Sequence, residues 1–400
     1  MAYTAMVAGG GISGMSSALA LHRAGIEAVV YEAYDRPADN AGAFLTLAVN
    51  ALGALRALGL DVSGLGFETS HITLTSGSGR RIGELPHGPV LPDGTVGRTV
   101  KRAELYRALR EQVARRGVRI EYGKRLAHAR GTGGGVLATF ADGGTAEGDL
   151  LIGADGLRSR VREIIDPGAP AARYGGLVNV GGYARGVAIG GRPGTMNAIF
   201  GRRAFFACAA HPDGEVWWAA NLMRATEPTP AELASIGEHR WRAELVEAFR
   251  RDRGPALALV EATDRLSTGW VTYDVPPVPR WHRDRMIIIG DAAHATVPSA
   301  GQGAAMAVED AVVLAKCLRD GPDVASAFAA YERLRRERVE RVVAQGRRTD
   351  TWKTLGPVAR IPRDLVMTLA MRHLARTGRD PSRWIYEHHL DWDEPAGSSR

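Results

Sequence analysis

The sequence predicts an α/β fold: a parallel sheet with helices, interleaved with a β-rich region and followed by C-terminal helices. Three observations carry that expectation. The chain opens YTAMVAGGGISGMSSALALHRAG, which is a short apolar run, a glycine cluster and an alanine-rich stretch in the order strand, turn, helix. A second apolar run at 286–289 ends in Gly290-Asp291 and leads through another glycine loop into a long apolar and small-residue stretch. Between the two, residues 174–223 alternate short apolar runs with turns, the pattern of a mixed or antiparallel sheet. At 400 residues the chain exceeds one typical hydrophobic core, so two interlocked domains are expected.

Bulk properties exclude several classes. The net charge is +7, but the basic residues are scattered among Asp and Glu. The densest run, RLRRERVERVVAQGRR at 333–348, is interleaved with Glu337 and Glu340 and preceded by Glu332, and reads as a solvated, self-paired helix face. Nucleic acid is therefore not an expected partner, and the charge is better suited to attracting anionic nicotinamide cofactors or acidic substrates. Cys208 and Cys317 cannot build a disulfide framework, and neither has a partner at metal-ligand spacing. No charged n-region with an apolar h-region opens the chain, and no apolar run reaches the roughly 20 residues a spanning helix needs. A soluble, cytoplasmic protein without metal or membrane partner is expected.

The first glycine cluster, Gly9-x-Gly11-Ile12-Ser13-Gly14, lies between a strand and a helix, and a second strand, EAVVYEA at 27–33, follows. This is the Rossmann-like βαβ setting of a dinucleotide site. Gly9 allows the tight turn, Gly11 lets the backbone approach a pyrophosphate, and Gly14 lets helix and strand pack closely. The anion then sits on the helix N-terminus. Glu32 ends the second strand, 18 positions beyond Gly14, where a carboxylate accepts adenosine ribose hydroxyls and repels a 2′-phosphate. FAD and NAD both satisfy these residues.

The stretch RMIIIGDAAHATVPSAGQGAAMAVEDAVVLAKCL at 285–318 narrows the choice. Asp291 emerges at the carboxyl end of a buried parallel strand, where α/β sheets bind ligands. A turn through Pro298 then leads to Gly301-Gln302-Gly303 and a helix from about Ala304. Here the chain resembles the group A flavoprotein monooxygenases, the p-hydroxybenzoate, phenol and salicylate hydroxylase family, whose second FAD motif is matched from Gly290 through Gly303. DLLIGADGLRSRVR at 149–162 is similar to the family's middle motif, and VKRAELYRAL at 100–109 to a weaker fourth one. The resemblance implies FAD as cofactor, with Asp291 on the ribityl hydroxyls. Pro298, Gly301, Gln302, Gly303 and Ala304 would border the isoalloxazine ring, Asp155 would touch FAD near the passing nicotinamide, and Arg102 would stand for the family's FAD-binding arginine. It also implies NADH or NADPH as transient donor, O2 as co-substrate, a flavin C4a-hydroperoxide, and an aromatic or polyketide-like small molecule as substrate. The helix after Gly303 would aim free N–H groups at the reduced flavin, worth about 0.3–1 kcal/mol to an exposed anion.

No second nicotinamide fingerprint exists: GTGGGV at 131–136 and SGSGRRIG at 76–83 read as strand connections. That suits the family and suits an external reductase equally. The expected division places FAD binding in 1–67, 98–172 and 267–321, a β-rich substrate domain in 68–97 and 173–266, and a C-terminal helical segment in 322–400. Phe205, Phe206, Trp217 and Trp218 offer an aromatic pocket, but neighbours on a strand face opposite ways, so at most one of each pair lines it. His71, His87, His211 and His294 are generic acid–base candidates better read as structural, and no catalytic base is named. The chain departs from the family at Gly181, where an arginine is usual, at Val49 before Asn50, and at Asn40 and Ala41, where another arginine is expected. An oxygen-independent flavin reductase or dehydrogenase, and a non-catalytic FAD-bound protein that sequesters an intermediate, remain the alternatives at this stage.

Overall fold

A computed structural model describes residues 3–37, 43–353, 355, 359–378 and 380–397. Asn40 and Ala41 lie outside the described residues. Two large sheets organise the chain. The first has six strands in the order His282–Arg283, Met286–Ile288, Leu150–Gly153, Thr4–Ala8, Glu27–Tyr31 and Arg119–Glu121. All neighbours in it are parallel except the antiparallel edge strand His282–Arg283. Its central strands are almost wholly buried, as continuous apolar runs with covered faces require.

Glycines decide how closely the first helix, Ile12–Arg23, lies on this sheet. A Cβ on Gly14 would stand 1.8 Å from the Gly9 carbonyl oxygen. Gly9 itself has φ +103°, and a Cβ there would stand 2.4 Å from the Ala154 carbonyl oxygen. Strand, helix and the neighbouring strand end therefore meet backbone to backbone.

The second sheet has seven strands, in the order Thr263–Asp274, Arg173–Ala184, Val216–Met223, Ala204–Ala210, Thr195–Phe200, His71–Ser76 and Arg81–Pro86. It is antiparallel except where Thr195–Phe200 runs parallel to His71–Ser76. The strand Thr263–Asp274 runs across the expected boundary between 266 and 267. All of it belongs to this sheet, because pairing with Arg173–Ala184 continues to Asp274. One face of the sheet carries Val178, Val180, Phe206, Trp218 and Ala220 against the helices Glu238–Phe249 and Ala256–Glu261. Trp218 stacks on Phe206 at 5.2 Å there, with its indole N–H donated to Thr263 Oγ1 at 2.8 Å.

The helices Gly303–Asp320 and Val324–Lys353 join the layers, and the run at 333–348 differs from expectation here. Arg336 does pair along its own helix with Glu332 and Glu340. Arg335 is buried, however, and bonds Glu309 at 2.8 Å and Asp310 at 2.7 Å, while Arg338 forks onto Glu309 with two 2.9 Å bonds. Glu309 and Asp310 are themselves fully buried. A charge alternation along one helix reads the same whether its partners lie on that helix or on another, which is why the sequence suggested a solvated face.

Burial pushes the Asp310 carboxyl up, but His294 and Arg335 overcome it and hold it down to about 2. Two outcomes are expected. Arg335→Leu takes one charged partner from each of two buried carboxylates, leaving Glu309 to Arg338 and Asp310 to His294, and lowers stability by about 3–5 kcal/mol in denaturant unfolding. The depressed Asp310 contributes stability that is complete above its unfolded pKa of about 4 and is lost as pH falls towards 2, seen as a falling unfolding midpoint across that window.

Candidate functional site

The three motif loops, distant in the chain, converge at one edge of the parallel sheet. Gly9 packs on Ala154, and Ser13 fills the space beside Gly290, where a Cβ would come within 2.1 Å of its Oγ. Arg162, buried behind the middle motif, donates to the carbonyls of Ala292 at 2.8 Å and Leu157 at 2.7 Å. Asp310 Oδ2 accepts from the Gly290 N–H at 2.9 Å and from His294 Nε2 at 2.5 Å. His294 therefore holds its loop as a structural residue.

The first helix begins at Gly11 with no side chain capping it and no acid in its first turn. The helix Gly303–Asp320 begins in the same way after Gln302. Free backbone N–H groups at two helix starts, uncontested by carboxylates, suit a ligand with negative charge in more than one place. Beside the first helix start is a cavity of about 540 Å³ lined by Gly9, Gly11, Glu32, Tyr106 and Asp155, with Arg36, Arg110, Arg125, Arg158 and Arg160 around it. A Cβ on Gly11 would meet only Tyr106 Oη, at 3.5 Å, so this glycine leaves room that the fold itself does not need.

Glu32 already positions this cavity's floor. Its carboxylate accepts from the Gly10 N–H at 2.6 Å and the Tyr34 N–H at 2.9 Å. Asp155 accepts from Ser159 Oγ and from the N–H groups of Arg160 and Val161, so it starts the helix Arg160–Ile165 while lining the cavity. Arg102 lies against Tyr106, 3.3 Å from its hydroxyl, and attracts Asp291 across the opening. Burial pushes the Asp291 carboxyl up, opposed by Arg102 and His294.

Asn50 gives the loop at 301–303 its register. Its amide donates to Gln302 Oε1 at 2.9 Å and Glu309 Oε1 at 2.8 Å, while its own Oδ1 is buried and has no partner among the described residues. Gly301 turns left-handed, at φ +61°, to end the short helix Pro298–Ala300. Gln302 is buried, whereas Pro298 and Gly301 stay exposed. Glu309, Asp310, Arg335 and Arg338 were not singled out from the sequence. The available signal was a pair of acids inside a 14-residue buried run.

Facing the loop at 298–300 is the inner face of the seven-stranded sheet. Gly181, Ala219 and Ala207 succeed one another across three strands as a row of small residues, a shallow trough partly open at Ala219 and Ala207 and covered at Gly181, where Ala43 lies 3.4 Å from the place of a Cβ. One wall is the next row, Asn179, Asn221 and Phe205. The other contains Tyr183 and Trp217, with Phe44, Phe67 and His211 packed on Trp217. Ala207, Ala219, Asn221 and Phe205 keep partial solvent access although they lie between layers. Of the expected aromatics, Trp218 and Phe206 thus face the core, while Trp217 and Phe205 border the trough. His71 bonds Ser70, and burial pulls the His87 imidazole down to about 4. A larger hollow of about 980 Å³, lined by Thr73, Thr75, Asn197, Arg192 and Arg253, includes no motif residue.

Residues 2–346 match the profile of the FAD binding domain family. The chain is 32% identical to the aurachin C monooxygenase/isomerase of Stigmatella aurantiaca, over 85% of this chain and 87% of that one. It is 32% identical to the FAD-dependent urate hydroxylase of Klebsiella pneumoniae (86% and 88%) and 30% identical to the 6-hydroxynicotinate 3-monooxygenase of Pseudomonas fluorescens (84% and 88%). The crystal structure of Klebsiella pneumoniae HpxO complexed with FAD and uric acid superposes with a TM-score of 0.79 at 28% identity, covering 96% of this chain and 94% of that one.

Gly11→Ala separates a ligand's need from the fold's. The unfolding midpoint is expected to stay at the wild-type value, because the added methyl has space, while FAD affinity falls at least about tenfold through loss of close backbone approach, read by flavin titration.

Proposed function

The chain belongs to the FAD binding domain family and is a FAD-dependent monooxygenase, and from that premise we propose that its substrate is an electron-rich aromatic, heterocyclic or polyketide-like small molecule held in the trough facing Pro298. Convergence of the three loops, Gly9 on Ala154 and Ser13 on Gly290, is the observation that carries the reading. It supports reading the residues near 11, 155 and 291 as parts of one ligand's seat. When bound, FAD takes electrons from NADH or NADPH and activates O2.

The chain's own residues then divide as follows. Gly9, Gly11, Ser13 and Gly14 would present the first helix start to the pyrophosphate, and Glu32 would accept from the ribose with lone pairs left over from Gly10 and Tyr34. Arg102 would counter the phosphate charge, and Asp291 would accept from the ribityl hydroxyls. Asp155 would wall the site from the side of the middle motif. Pro298, Gly301, Gln302, Gly303 and Ala304 would border the ring, with the orphaned Asn50 Oδ1 and the uncapped helix start supplying polar contacts nearby. Gln302 is held for that task by Asn50. The parallel-sheet layer would form the FAD side and the seven-stranded sheet the substrate side.

The small residues of the trough leave room for a flat ring, and the Trp217 wall offers an apolar edge. Among the described residues no helix is long and apolar enough to cross a membrane. Both cysteines are free and buried, which supports a cytoplasmic setting.

Turnover under ¹⁸O2 with a panel of candidate rings tests the reading. Ring-dependent NAD(P)H oxidation is expected to yield product carrying one labelled atom. Turnover without label would point to oxygen-independent flavin chemistry, and FAD binding with no stimulated oxidation by any ring would point to sequestration.

A further inference from the structure

We propose that Lys353 selects the substrate: its ammonium group takes an acidic ring oxygen, phenolic or enolic, of a flat molecule lying in the trough. The proposal rests on the monooxygenase reading for the trough's role, while the position of Lys353 follows from contacts alone.

Lys353 closes the long helix Val324–Lys353, yet its side chain is only 8% exposed. Its Nζ donates to Ser299 Oγ at 2.6 Å and to Asn221 Oδ1 at 3.0 Å, and it stands 4.0 Å from the centre of the Phe205 ring. These partners place it with one foot on each component of the site. Ser299 follows Pro298 in the loop proposed to border the flavin, and Asn221 and Phe205 are directly paired residues of the trough wall. The ammonium thus spans the gap between that loop and the row beside Ala219 and Ala207.

Its charge is matched through an ion pair that makes no hydrogen bond. Two of its three protons go to neutral oxygens, and a ring face covers another side. Among the described residues its carboxylate partner is Asp350, whose Oδ1 pairs with it at 3.8 Å, beyond hydrogen-bonding reach, and accepts from Ser299. Asp350 in turn feels the negative charge of Asp274, which Arg173 and Arg347 pair. The other lysine at the trough is held differently: Lys101, over the rings of Tyr183 and Trp217, donates to Glu215 at 3.1 Å. Burial lowers the Lys353 pKa to about 8, opposed by Asp350, so the cation persists at neutral pH at an energetic cost. An anionic oxygen entering the trough would offset that cost and take the third proton. Ala219 and Ala207, the partly open residues of the row, carry no polar side chain, so within that row nothing competes for the oxygen.

The test uses FAD-loaded enzyme at pH 7 and two probe pairs, 2-naphthol with 2-methoxynaphthalene and 7-hydroxycoumarin with 7-methoxycoumarin. Dissociation constants are read from perturbation of the flavin spectrum. Wild-type enzyme is expected to bind each hydroxyl compound about ten- to a hundredfold more tightly than its methyl ether, the range of a charge-assisted hydrogen bond. Lys353→Met is expected to reduce that ratio to within about threefold with FAD content unchanged, and Lys353→Arg to restore part of it. A ratio retained in Lys353→Met overturns the proposal, as does wild-type enzyme that binds the rings without discriminating. Loss of FAD in both variants also overturns it, because the residue would then be structural. Wild-type enzyme that binds none of the four overturns it together with the ring-substrate reading, so the two failures are distinguishable.

Discussion

Two adjacent carboxylates, Glu309 and Asp310, buried with no access to water, are the constraint on which the rest of the molecule depends. Charges taken out of water need partners at short range, and each oxygen here has them. Asp310 fixes Gly290, His294 and Arg335, and Glu309 fixes Asn50, Arg335 and Arg338. The pair therefore ties the loop carrying Asp291, the segment carrying Asn50 and the long helix to one turn of the helix that starts at Gly303. The loops that would grip the cofactor are tensioned from behind, through groups that never meet it. A pair of apolar residues would pack there without specifying which loop comes close.

This arrangement keeps the site's front face free. Among the described residues no capping side chain takes the N–H groups at the start of the first helix or of the helix at Gly303. The same economy appears in the glycines: Gly9 and Gly14 are demanded by backbone contact inside the protein, whereas Gly11 is not. A residue type that means three things in one motif is resolved only by asking what a methyl group would strike at each position.

The parts of the site legible in the sequence are those whose reasons are local. A strand, a tight turn and a helix start within a dozen residues demand Gly9 and Gly14, Gly11 sits between them at the helix start, and Asp291 follows its strand directly. The buried parallel strands were legible because they are unbroken apolar runs. The hidden parts depend on residues brought together from afar. Arg335 and Arg336 are neighbours with the same chemistry, yet one is buried against another helix and the other lies along its own. Nothing in the local pattern separates them, since one residue's step turns a helix by 100° and changes the environment entirely. Lys353 was equally hidden, because Ser299, Asn221 and Phe205 reach it from three other elements. The expected domain boundary between 266 and 267 divides the strand Thr263–Asp274 for the same reason: its pairing partner, not its composition, sets where it ends.

The segment near the end of the chain fastens onto this assembly. Arg338 donates to the carbonyls of Trp384 and Ile385, Lys316 to that of Asp391, and Arg319 to that of Trp392, while Arg23 of the first helix lies over the Trp392 ring at 4.8 Å. Because Arg338 holds the Glu309 carboxylate and the Trp384 and Ile385 carbonyls at once, residues 384–392 brace from outside the same ion cluster that holds the cofactor loops from within.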